Sequence, residues 1–117
     1  MVRGKQGYTA HSKFLRISPS KVRPLADLVR RQPYAEALAL LETMPHKGAA
    51  LLRKTIKSAG DNALFQNEDL DEETLYVREL QVLDGPRLKR IWVRGRGRAD
   101  RQVSRLCHIS VAVEEMS

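Results

Sequence analysis

The cationic side chains are the residues whose types and spacing could do chemistry here, and they are densest between Asp84 and Arg101, DGPRLKRIWVRGRGRADR. These 18 residues hold seven cations, Arg87, Lys89, Arg90, Arg94, Arg96, Arg98 and Arg101, against two carboxylates, Asp84 and Asp100. Bulky Leu88, Ile91, Trp92 and Val93 are interleaved with the charges. A solvated face mixes signs and favours Lys and Glu, whereas six of these cations are arginines. Arginine presents a planar fork to phosphate oxygens and stacks on bases, which suits irregular RNA. The chemistry is recognition of a polyanion.

Covalent chemistry lacks a constellation. His11, His46 and His108 fall in different elements without a partner spaced for a triad or a metal. Asp69, Asp71 and Glu73 mimic the start of a calcium loop, but Thr74 stands where that loop needs Gly and Leu80 where it needs Glu. Gly95-Arg96-Gly97 resembles half of a dinucleotide fingerprint, but Asp100 occupies the place of the third Gly and a strand follows. Cys107 lies on the apolar phase of its strand with no local base, so packing is its expected role. The reading is a non-enzyme with no cofactor, no metal and no small-molecule substrate.

The basic stretch requires a scaffold that holds it open to a partner. Gly95 and Gly97 near its middle fit the reversal of a two-stranded ribbon, since Gly accepts the positive φ of a tight turn. About seven residues per arm, at roughly 3.3 Å each, would carry the tip some 20–25 Å from the sheet. Charged and apolar groups fall on both faces of that ribbon, which leaves no side to bury against its own protein. Residues 1–7 are basic and are expected to be loose until bound. A short strand is expected from Tyr8 to Ile17. Ser18 as N-cap and Pro19 at the first position open a helix with Val22, Leu25, Ala26 and Val29 on one face. Lys21, Arg23 and Arg30 fall off that face, available for phosphates, while Pro24 predicts a kink or a late start. Pro33 opens a second helix with apolar Ala37, Leu38, Leu40 and Leu41, closed before Pro45. The third and longest helix runs from about Lys47 to Gln66 on the stripe Ala49, Leu52, Ile56, Ala59 and Ala63, with Arg53, Lys54 and Lys57 opposite. Gly60 costs that helix about 1 kcal/mol relative to Ala. Leu75–Leu83 reads as a strand feeding the ribbon. Beyond it Val103, Cys107, Ile109, Val111 and Val113 alternate with Gln102, Leu106, His108, Ser110 and Ala112, a half-buried strand. The expected fold is α+β: a three-stranded antiparallel sheet packed with three helices, plus one long protruding β-hairpin at about 84–101.

At 117 residues the chain fits a single domain, 1–117. Net charge is +7 and the pI about 10.0, which points to a polyanion partner. Basic segments 1–31 and 84–101 flank the acidic insert NEDLDEE at Asn67–Glu73, read as a solvated loop facing away from the polyanion. No apolar run approaches the ~20 residues of a membrane span, and one cysteine is compatible with a reducing cytoplasm. Two other classes remain. An architectural DNA binder with β-arms would favour an apolar wedge at the arm tip, where this chain has Arg-Gly-Arg-Gly. A small basic nuclease would need an acid–base pair.

The segments ISPSKVRPLADLVR (17–30), GPRLKRIWVRGRGRAD (85–100) and HISVAV (108–113) resemble, in order and spacing, the bacterial large-subunit ribosomal protein L twenty-two family. The resemblance extends from Tyr8 to Val113. It implies an α+β domain with one extended hairpin, a structural constituent of the large ribosomal subunit, cytoplasmic, that binds large-subunit ribosomal RNA and supports assembly. It further implies neighbouring large-subunit proteins as partners, and a hairpin lining the exit tunnel beside the nascent polypeptide. Carried over by position, Pro19, Lys21 and Arg23 match the helix-start RNA contacts, Gly85, Pro86, Lys89, Arg90, Arg94, Gly97, Arg98 and Ala99 match the hairpin signature, and Arg105 and His108 match the last strand. The cations Lys13, Arg16, Arg87, Arg96 and Arg101 join Pro19, Lys21, Arg23, Lys89, Arg90, Arg94, Arg98, Arg105 and His108 as the expected RNA-binding residues. The implied tunnel tip is Trp92, Val93, Arg94, Gly95, Arg96 and Gly97. Several positions depart from the pattern: Ser20 for Arg, Pro24 for an aliphatic, Arg31 for a helix-ending Gly, Val93 for Pro and Gly95 for Ala. Ser104, Leu106 and Cys107 also replace a basic-Arg-Thr-Ser pattern around Arg105. Val93 and Gly95 imply a tip with more conformational freedom than is typical.

Overall fold

A computed structural model describes the backbone of residues 8–94 and 98–115 and the side chains of residues 8–85 and 105–115. The order is β1 (Tyr8–Leu15), α1 (Pro19–Val29), α2 (Tyr34–Glu42), α3 (Lys47–Gln66), a 3₁₀ turn (Glu72–Thr74), β2 (Leu75–Arg94) and β3 (Arg98–Glu115). The strands form an antiparallel sheet in the order β1-β3-β2, so the last strand of the chain is the central one. This is the expected α+β architecture. The reversal expected at Gly95–Gly97, and residues 1–7, lie outside the described residues.

The core lies between one sheet face and the helices. Cys107, Ile109, Val111 and Val113 of β3 are buried, as are Val77, Leu80 and Val82 of β2. Against them pack the stripe Ala49, Leu52, Ile56, Ala59 and Ala63 of α3 and Val22, Leu25, Ala26 and Val29 of α1. Four of the five stripe residues are alanine or β-branched, and small side chains let a helix lie close to a pleated surface. Two residues of the polar phase of β3, Leu106 and Ala112, are also buried. Ala112 is flanked by Thr9 and Glu79 in register, and Leu106 lies against the backbone of Gly85, where an added Cβ would sit 3.0 Å from the Leu106 carbonyl.

Several local expectations need correction. α1 starts at Pro19 and runs unbroken across Pro24, so the late start does not occur. Pro24 is exposed, where a carbonyl that loses its helical donor can be hydrated. Ser18 is the N-cap by position, but its hydroxyl bonds Ser20 Oγ at 2.8 Å rather than a helix N–H. Pro33 is the N-cap of α2, not its first residue, and Leu40 is exposed. The main anchor of α2 is Tyr34, whose ring lies over Gly60: a Cβ there would fall 2.3 Å from the phenol. Gly60 is therefore a close-approach position, not simply a propensity loss. In the acidic insert Leu70 is buried, and Asp71 and Thr74 cap the 3₁₀ turn reciprocally.

Arg31 shows why a helix-ending glycine suits its place. α1 ends at Val29 with Arg30 as its C-cap, and Arg31 takes φ 65°, the left-handed conformation that reverses the chain out of a helix. Its N–H then donates to the Val77 carbonyl at 2.9 Å. A side chain in this region is strained by roughly 1–2 kcal/mol. Arg31→Gly should raise stability by about 1 kcal/mol in urea melts, with the fold unchanged; a destabilised variant would show that the arginine side chain, not its backbone, decides.

Tyr34 carries a pH signature. Burial first, then the carboxylates of Asp61 and Glu72, pushes its phenol up to about 12 from 10.0. The unfolded chain thus releases this proton before the folded one. Stability is untouched below pH ~10 and falls as pH rises toward the folded value. Alkaline urea melts should show this decline, and Tyr34→Phe should remove that part of it.

Candidate nucleic-acid interface

Charge is segregated along the central strand. Glu72, Glu73, Glu79, Glu114 and Glu115 cluster where β2 begins and β3 ends, since Leu75 pairs with Glu115 and Glu79 with Ala112. Lys13, Arg16 and Arg105 stand at the other end, where Leu15 pairs with Cys107 and Arg87 with Arg105. From that end β2 and β3 continue in register from Arg87↔Arg105 to Arg94↔Arg98, which brings the two basic arms side by side. One end of the sheet repels a polyanion and the other attracts it.

Both outer strands bulge at this basic end. Between Ser12↔Ile109 and Leu15↔Cys107, the two residues Lys13 and Phe14 oppose His108 alone. Between Asp84↔Cys107 and Arg87↔Arg105, Gly85 and Pro86 oppose Leu106. A bulge bends its strand and increases local twist, so the paired bulges mark where sheet becomes ribbon. Gly-Pro suits this place: Gly85 permits the close approach to Leu106, and Pro cannot extend a regular ladder.

Individual residues divide by what they touch. Lys13, Arg16, Lys21 and Arg105 are exposed. Pro19 is buried at the helix start, so its side chain faces the interior and not a ligand surface. His108 is half-buried, and its Nδ1 accepts the Phe14 N–H at 3.0 Å. The side chains of Arg87, Lys89, Arg90, Trp92, Val93, Arg94, Arg98 and Arg101, and all of Gly95, Arg96 and Gly97, lie outside the described residues. On α3, Arg53, Lys54 and Lys57 line an open groove with Ser58, Asp61 and Asn62, and Arg53 Nε is buried with no acceptor among the described residues.

Arg23 and Arg30 are not simply available for phosphates. The arm β2 is an edge strand with unpaired outward groups. At Val77 these are met by the α1–α2 connection, through Arg31 N–H and the Gln32 carbonyl, both at 2.9 Å. The extra residue at Arg78 then changes the phase, so that Leu80 and Val82 turn their carbonyls toward α1. Arg30 donates from Nε and a terminal nitrogen to Leu80 O at 3.1 and 2.9 Å, and is also paired with Asp27. Arg23 donates to Val82 O at 3.2 Å and reaches Asp84 at 3.4 Å. The helix face that looked free thus closes the sheet edge at the base of the ribbon. Cys107 is buried beside this junction; burial pushes its thiol up, Arg23 lowers it and Asp84 raises it, leaving a neutral packing group.

This geometry ranks the two arginines. Arg30 satisfies a part-buried carbonyl with two donors, whereas the Arg23–Asp84 pair is 49% and 72% exposed and screened. Arg30→Ala should cost about 1–3 kcal/mol in urea melts and Arg23→Ala under ~1 kcal/mol. The reverse order would show that the edge is held chiefly at Val82.

The description Ribosomal protein L22p/L17e belongs to the family whose profile matches residues 10–114. Among curated relatives, the large ribosomal subunit protein uL22 of Treponema denticola is 56% identical over 95% of this chain and 94% of its own length. Its counterpart in Treponema pallidum is 56% identical over 92% of this chain and 87% of its own. The uL22 protein of Borrelia hermsii is 53% identical over 92% and 90%.

Proposed function

Because this chain belongs to the Ribosomal protein L22p/L17e family, we propose that it is a structural constituent of the large ribosomal subunit, holding ribosomal RNA and neighbouring subunit proteins. The observation that carries the RNA reading is the continuity of the sheet's basic end with the two paired arms from Arg87↔Arg105 to Arg94↔Arg98. Backbone pairing there aligns the arm cations with Lys13, Arg16 and Arg105, so one phosphate-rich surface can follow them from domain to ribbon. Lys21 on α1 and His108 on β3 extend the same interface, Arg23 borders it with the half of its side chain left exposed beside Val82 O and Asp84, and the acidic end faces away from it.

In this reading 1–117 acts as one domain whose hairpin projects from the sheet base at Gly85-Pro86. Trp92, Val93, Arg94, Gly95, Arg96 and Gly97 form its tip, and the tip borders the path of the nascent polypeptide. The role is architectural and non-enzymatic, with no cofactor. No helix among the described residues is long and apolar enough to cross a membrane. Architectural DNA binding draws no support from the relatives named above, all large-subunit proteins.

Neutralising phosphates releases counterions, so affinity for large-subunit RNA should fall steeply, by on the order of 10³-fold or more for six or more contacts, from about 50 to 200 mM salt. Filter binding across that range checks it, and a flat response counts against the interface. Deleting residues 88–98 should flatten the salt slope while urea melts of the domain stay close to wild type. Loss of the fold on that deletion would give the ribbon a core role.

A further inference from the structure

Phe14 is the exposed aromatic that the fold holds most deliberately. It takes φ 58°, a left-handed conformation rare for bulky residues, at the second position of the β1 bulge. Its N–H is fixed by His108 Nδ1 at 3.0 Å, and its ring meets the His108 ring edge-on, centroids 4.9 Å apart at 85°. Despite these constraints the side chain is 61% exposed. The strain is not repaid by burial.

The surroundings specify what could cover it. Helices pack on the sheet face of Cys107 and Ile109, so Phe14 and His108 stand on the opposite face, which no helix among the described residues covers, with Leu83 in register with His108 and also exposed. Lys13 shares the bulge and opposes the same residue. Glu79 and Glu114, on the same sheet face as His108, lie toward its other end, while Asp84 is at the basic end but shares the helix-covered face of its partner Cys107 and is paired with Arg23. An oriented ring with an adjacent cation, and no carboxylate beside it on its own face among the described residues, fits an unpaired nucleobase, its π-face on the ring and its phosphate near the ammonium.

We infer that Phe14, braced by His108 and flanked by Lys13, is a stacking platform for one unpaired base of the large-subunit RNA. This rests on the RNA-binding reading above and adds a contact that is not electrostatic. Backbone geometry explains why a phenylalanine is found there in strain: the bulge turns the ring out of the plane of β1 onto the open face, where a regular strand would have placed residue 14 toward the helices.

The test compares full-length variants on a large-subunit RNA transcript, reading affinity against salt together with thermal stability. Phe14→Leu should bind at least about five-fold more weakly with an unchanged salt slope, because stacking releases no counterion. Phe14→Trp should bind near wild type. Lys13→Ala should instead lower the slope by about one. Phe14→Gly relieves the strained φ, so it should melt higher than wild type yet bind as weakly as the leucine variant; a merely structural role for the ring cannot produce that combination. If Phe14→Leu binds as tightly as wild type, the platform is overturned, and reduced incorporation into large subunits alongside that result would assign the face to a neighbouring protein. If wild-type protein itself shows no salt-dependent binding, the RNA-binding reading fails instead.

Discussion

A three-stranded sheet has two edges and one interior strand, and the backbone groups along those edges must find partners. Every α-helix among the described residues contributes to that requirement or connects elements that do. On the β2 side the α1–α2 connection pairs with Val77, and Arg30 and Arg23 donate to the carbonyls of Leu80 and Val82. On the β1 side α3 supplies three side chains: Lys47 Nζ donates to Arg16 O at 3.0 Å, Thr55 exchanges a 2.7 Å bond with Ser12 Oγ, and Asn62 Nδ2 donates to Thr9 O at 3.0 Å. Positions 47, 55 and 62 are spaced about two helical turns apart, so one line along α3 follows β1 end to end. Apolar burial holds the helices to the sheet face; these polar contacts fix where along the sheet they sit.

That arrangement frees β3 for two tasks. Its C-terminal half is the centre of the core, with Ile109, Val111 and Val113 buried, and its N-terminal half is an arm of the basic ribbon. Such a strand cannot alternate identically throughout. The change of environment is made where both partners bulge, opposite His108 and Leu106, and the residues there are the ones a ladder tolerates least: a left-handed Phe, a close-packed Gly and a Pro. The acidic insert lies at the far end, anchored by buried Leu70 and capped by Asp71, which keeps its carboxylates away from the cations.

Periodicity made the helices and strands legible. The α3 stripe and the odd phase of β3 appear in the sequence as they appear in the fold, because apolar spacing follows directly from helical and pleated geometry. Register and bulges were not legible: nothing in SKFLR marks Lys13 and Phe14 as sharing one partner, or Arg78 as the residue that turns the Leu80 and Val82 carbonyls outward. For the same reason Arg23 and Arg30 looked free, since an edge carbonyl one helix away leaves no local trace. Tyr34 over Gly60 was equally hidden; an aromatic at a helix start and a glycine 26 positions later acquire meaning only when α2 and α3 cross. The concentration of basic charge in residues 84–101 was legible from composition, because charge against a polyanion needs no register.

Two non-glycine residues, Phe14 and Arg31, have positive φ among the described residues, and their contrast separates structural strain from strain at an interface. Arg31 leaves a helix and hands its N–H to Val77, so its conformation is explained completely by chain reversal, and a residue without Cβ would serve better. Phe14 has an equally local cause in its bulge, and its N–H is likewise satisfied. The difference lies in the side chain. An arginine held in the left-handed region keeps its charge in water at little desolvation cost, whereas a phenylalanine there accepts strain and still leaves most of its ring wet. Backbone geometry alone would favour glycine at both sites; only at Phe14 does the large, oriented, uncovered ring demand something beyond the chain to complete it.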